Sequence, residues 1–99
     1  MRLTTQQALL VKKTVDAILN EPNTIWLFGS RVNDEKRGGD IDLFIETQSH
    51  CSNRAETICR LYCELVMALG EQKIDILLKD KNTAEVPIFE IARLNGVLL

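Results

Sequence analysis

The chain has 99 residues, 45% hydrophobic and 26% charged, which suits one small folded domain spanning 1–99 and no more. A net charge of -2 and a pI of about 5.3 argue against a broad electrostatic footprint for nucleic acid. No apolar run is long enough to span a membrane and no leader pattern opens the chain, so a reduced, cytoplasmic protein is expected.

Residues 5–20 predict an amphipathic helix. Thr4 or Thr5 can cap it, and Ala8, Val11, Val15, Ile18 and Leu19 recur at helical spacing. Asn20 to Asn23 stops it, because the residue before Pro22 is pushed out of helical geometry. Residues 24–28 predict a strand that is apolar on both faces and therefore central. Gly29 ends that strand, and Ser30 can cap a short helical turn through Arg31 and Val32.

A polar loop runs from Asn33 to Gly38-Gly39, where paired glycines let the backbone turn tightly. Residues 40–46 predict a second strand, with Ile41, Leu43 and Ile45 on one face and Asp40, Asp42, Phe44 and Glu46 on the other. Asn53, with Glu56 three residues on, starts a helix to about residue 69. Its expected stripe is Ala55, Ile58, Cys59, Tyr62, Leu65, Val66 and Leu69, and Gly70 is its stop.

Residues 73–78 predict a third strand, with Asp75 and Leu77 on the face opposite Ile74, Ile76 and Leu78. Pro87 opens a last helix with Ile88, Ile91 and Ala92 as its stripe, and Asn95-Gly96 closes it. Val97 to Leu99 is an apolar tail, either a short edge strand or a contact for another chain. The order implies an α/β (α+β) domain: a small mixed sheet of three to four strands with helices against it.

The chemistry gathers between Gly29 and Asp42. Asp40 and Asp42 leave the same face of a strand, with Cα atoms about 6.5–7 Å apart. Carboxylates at that spacing can bracket two divalent cations, and hard oxygen ligands suit Mg²⁺. Gly29 lets a phosphate approach the backbone, and N–H groups after it, with the Ser30 hydroxyl, can donate to phosphate oxygens. Asp75 can bind the metal or orient an attacking hydroxyl, because a strand aspartate among Ile and Leu is costly to bury without a partner. Arg31, Lys36 and Arg37 can reach a triphosphate or simply face solvent. The spacing of His50, Cys51, Cys59 and Cys63 matches no common zinc pattern, so buried cysteines are expected. Trp26 and Tyr62 read as core.

Gly29-Ser30, nine residues, Asp40-Ile41-Asp42 and then Asp75 on a later strand resemble the DNA polymerase β nucleotidyltransferase superfamily. Within it the chain is most similar to the minimal MNT-type proteins, and the likeness covers nearly the whole sequence. The resemblance implies a nucleotidyltransferase-like fold. It also implies a catalytic and metal set of Asp40, Asp42 and Asp75, with Gly29, Ser30 and Arg31 on the nucleotide. The cofactors it implies are two Mg²⁺ (Mn²⁺ as substitute), with ATP as substrate. Such proteins are typically antitoxins paired with a helical HEPN-family partner, some transferring AMP to a tyrosine of it, so a hetero-oligomer is implied.

The chain departs from the family loop at Val32, Asn33 and Asp34, and Gly39 stands where a serine usually precedes the first aspartate. Two other readings stay open. One is an antitoxin that neutralises by tight binding with vestigial nucleotide binding. The other is a transferase acting on a small molecule such as an antibiotic, which the short chain disfavours because no residues remain for an acceptor domain.

Overall fold

The computed structural model describes residues 3–28, 41–49, 51–70 and 73–99. Gly29, Ser30, Arg31, Lys36, Arg37, Asp40 and His50 lie outside the described residues, as does the polar loop between the first two predicted strands. Seven elements follow in order: α1 (Thr5–Leu19), β1 (Asn23–Phe28), β2 (Ile41–Thr47), α2 (Arg54–Leu69), β3 (Ile74–Lys79), α3 (Pro87–Asn95) and β4 (Val97–Leu98). The strands form one mixed sheet in the order β3-β2-β1-β4. β1 runs antiparallel to both neighbours, while β2 and β3, joined by the α2 crossover, are parallel.

Local chemistry sets the helix ends. Thr4 takes the cap, accepting from the Gln7 amide at 3.0 Å while the Gln7 side chain accepts from the Thr4 amide at 3.0 Å. Asn20 closes α1 in the left-handed region at φ 55°, a conformation asparagine tolerates. Asn53 caps α2 by accepting from the Glu56 amide at 3.0 Å. Gly70 ends α2 at φ +91°, where a side chain would be strained.

Two cores flank the sheet. On one face Ile25, Leu27, Ile41, Leu43, Ile45, Ile74 and Leu78 pack against Val11 and Val15 of α1 and Leu61 and Leu65 of α2. On the other, Phe44, Phe89 and Ala92 form a smaller cluster with Trp26, Phe28 and Leu77 against it. Trp26, Phe44 and Phe89 stack with successive centroids 5.1 Å apart. Arg93 caps this stack, its guanidinium 5.3 Å from the Phe44 centroid and paired with Glu46 at 3.1 Å and Glu85 at 2.9 Å. β1 is thus an inner strand covered on both sides, in keeping with its unbroken apolar run.

Two helices turn differently from their sequence stripes. In α2 the buried residues are Leu61 and Leu65, with Ile58, Val66 and Leu69 beside them; Ala55 and Cys59 are exposed and Tyr62 is 44% exposed. Periodicity alone admitted either neighbouring face, and the sheet selected the one bearing Leu61. Cys59 and Cys63 are therefore surface thiols and Cys51 is partly buried, correcting the expectation of buried cysteines. In α3 the inward residues are Phe89 and Ala92, while Ile88 and Ile91 are exposed. The Phe89 ring stacks on Phe44 and so fixes the rotation of the helix.

Asp80, just past the end of β3, is 2% exposed and accepts from the Cys51 amide at 2.8 Å, the Asn82 amide at 3.0 Å and the Thr83 hydroxyl at 2.8 Å. Those donors, the Cys51 amide first, hold its carboxyl down at about 2. This node ties the loop entering α2 to the loop leaving β3.

Candidate active site

The parallel register of β2 on β3 places Asp42 directly beside Asp75. Adjacent strands lie about 4.8 Å apart, so the two carboxylates leave neighbouring backbone positions. Both stand on the α3 side of the sheet, since Ile41, Leu43, Ile74 and Ile76 pack toward α1 and α2. The antiparallel register of β1 adds Phe28 to the same row, opposite Asp42. The row therefore reads Phe28, Asp42, Asp75 across three strands.

The next row inward, Trp26, Phe44 and Leu77, belongs to the aromatic cluster beneath α3. The carboxylates thus sit at the end of a packed apolar platform. Asp42 is partly buried and Asp75 is exposed. A negative group whose protein donors were complete would resemble Asp80; Asp75 accepts from no described residue and faces the surroundings instead.

Side-by-side carboxylate oxygens on one face form a hard donor set of the kind that suits Mg²⁺ or Mn²⁺. Among the described residues no three His, Cys, Asp or Glu side chains converge on one point. Asp40, the third expected carboxylate, lies outside them, as do Gly29, Ser30 and Arg31. In sequence, Gly29-Ser30 follows immediately on Phe28 and Asp40 lies two residues before Asp42.

A cavity of about 350 Å³ adjoins this row at the outer edge of the sheet. It is lined by Ile58, Cys59, Tyr62 and Cys63 of α2 and by Ile74, Asp75 and Ile76 of β3. The sequence reading assigned Cys59 and Tyr62 to the core and so missed this groove. The signal was the breadth of the α2 stripe, which holds more apolar residues than one sheet face can cover.

A domain model described as polymerase beta, nucleotidyltransferase, matches residues 11–99. The chain therefore belongs to that nucleotidyltransferase family, and the mixed four-stranded sheet with three helices among the described residues is consistent with a nucleotidyltransferase-like α+β fold. No curated protein matches the chain. Among the described residues no helix is long and apolar enough to cross a membrane.

Proposed function

We propose that the protein transfers a nucleoside monophosphate, AMP from ATP, to a hydroxyl of a partner protein, and that it thereby acts as antitoxin to a HEPN-family toxin in a cytoplasmic hetero-oligomer. The observation that carries the transferase part is the in-register pair Asp42 and Asp75 on one open face of a nucleotidyltransferase domain. Asp40, Asp42 and Asp75 would hold two Mg²⁺, or Mn²⁺, which supply positive charge to the phosphate oxygens and to the departing pyrophosphate. Gly29, Ser30 and Arg31 would hold the triphosphate through backbone amides, the hydroxyl and the guanidinium.

The transfer is an in-line displacement. The acceptor oxygen bonds to the α-phosphorus, and the bond from that phosphorus to the oxygen bridging to the β-phosphate breaks. Pyrophosphate leaves with the electron pair. The acceptor's proton passes to the Asp75 carboxylate and on to water.

A second reading, neutralisation by binding alone, is favoured by the outer face of α3. Ile88, Ile91 and Leu94 are exposed there, Leu94 by 75%.

The test uses α-labelled and γ-labelled ATP in parallel, with Mg²⁺, this protein and the product of the neighbouring gene, resolved on a denaturing gel. Label on the partner from the α position only, absent with Asp42→Asn, supports nucleotidyl transfer. Label from the γ position means phosphorylation and sinks the mechanism. A stable, neutralised complex with no label from either position replaces it with the binding reading.

A further inference from the structure

The transfer chemistry makes no use of sulfur, yet two thiols stand beside it. Cys59 and Cys63 are one turn apart on α2, both exposed, both unoxidised and both in the wall of the cavity of about 350 Å³ that Asp75 also lines. Cβ atoms four residues apart on a helix are about 5–6 Å from each other. A disulfide needs them at about 3.5–4.5 Å, so the intact helix keeps the two sulfurs unjoined. A bridging ion fits where the disulfide does not. Metal–thiolate bonds are about 2.3 Å long, and two laid in line hold the sulfurs about 4.6 Å apart. Cβ atoms one turn apart reach that span without unwinding the helix.

We infer that Cys59 and Cys63 form a two-thiolate site for one soft cation, copper(I). Each thiol gives its proton to water as its sulfur takes the ion, and no oxidation state changes. Thiolate sulfur selects soft ions, whereas Mg²⁺ prefers the oxygens of Asp42 and Asp75. Coordination number then decides among the soft ions. Among the described residues no three His, Cys, Asp or Glu side chains converge on one point, so the four ligands of a structural zinc are not assembled there. Copper(I), with a filled d shell, is satisfied by two thiolates in line. The walls suit it as well. Ile58, Tyr62, Ile74 and Ile76 restrict water around the sulfurs. Among the described lining residues the only charged one is Asp75, an anion, so the cavity attracts a cation. The site stands whether or not the chain transfers a nucleotide.

The probe is copper(I) itself, supplied without oxygen as its coloured bicinchoninate complex with ascorbate present. Loss of colour on adding protein counts the copper taken by the chain. The expected result is one copper per chain for the wild type and for Cys51→Ser, and loss of uptake in Cys59→Ser and in Cys63→Ser. Both substitutions fall at exposed positions, and circular dichroism checks that each variant stays folded. A second measurement needs no variant. The wild-type chain is treated with iodoacetamide with and without copper(I), and alkylation is read by mass after trypsin. Arg60 separates Cys59 and Cys63 into different peptides, and Arg54 separates Cys51 from both. Copper should protect Cys59 and Cys63 together and leave Cys51 unprotected.

No uptake by the folded wild type overturns the site. So does uptake that survives in the Cys59→Ser/Cys63→Ser double variant, or protection that falls on one of the two thiols alone. Half a copper per chain, with a dimer on size-exclusion chromatography that forms only with the metal, also overturns it, because the ion would then join thiols of two copies. Zinc taken up by the single chain as tightly as copper(I) would overturn the two-ligand geometry on which the choice of ion rests.

Discussion

The two ends of β3 carry aspartates of opposite character. Asp80, beyond its C-terminal end, is buried and saturated by three donors from its own chain. Asp75, at the other end, is exposed beside Asp42 with no described residue donating to it. The first spends its charge on holding two loops together, so it adds to stability and has nothing left for a ligand. The second leaves its charge available, which costs stability little because water solvates it. One strand thus separates a carboxylate committed to its own loops from one left open at the surface.

The largest expected effect breaks the chemical end. Asp75→Asn should lower nucleotidyl transfer by about three orders of magnitude while leaving the unfolding midpoint nearly unchanged. Quantitative label transfer and urea denaturation on the same preparation check both halves. A destabilised Asp75→Asn would mean that this carboxylate is structural after all. Asp80→Ala should do the reverse, costing about 3 kcal/mol by leaving buried amides without an acceptor, with transfer per folded molecule retained.

Acid sharpens the same contrast. The Asp80 carboxyl is held at about 2 in the folded state against an ordinary 3.8, so the folded state favours the ionised form. Its contribution, about 2 kcal/mol, is therefore complete above pH ~4 and lost as pH falls through about 2. Stability measured across that window should slope in the wild type and flatten in Asp80→Asn. The smallest effect belongs to the clamp over the aromatic platform. Arg93→Met should cost about 1 kcal/mol, since it gives up the ion pairs with Glu46 and Glu85 and the approach to Phe44. The comparison predicts no more than a small loss of transfer there, because α3 seats the row behind the carboxylates and not the carboxylates themselves.

Binary pattern and turn chemistry were enough to place the three helices and the first three strands, since Pro22, Asn53, Gly70, Pro87 and Gly96 mark their boundaries and strand alternation puts Asp42 opposite Ile41 and Leu43. They left Val97 to Leu99 open between an edge strand and a contact for another chain, and pairing with β1 makes Val97–Leu98 a strand. Spacing also singled out Asp42 and Asp75 as members of one carboxylate set, because an acidic residue inside an apolar strand stands out against its neighbours. Helix rotation was less legible. Tyr62 and Ile91 fit an apolar stripe as well as Leu61 and Phe89 do, and only contact with a particular sheet face selects between adjacent stripes.

Register, strand order and the burial of Asp80 belonged to the tertiary structure alone. That Asp42 meets Asp75 depends on where α2 returns the chain, and that Asp80 is buried depends on a loop 29 residues earlier in sequence. The sequence by itself determined which residues can carry charge and which faces are apolar, because those are properties of side chains at a local period. Only the fold decided which charges meet each other and which meet solvent, because that is set by long-range packing.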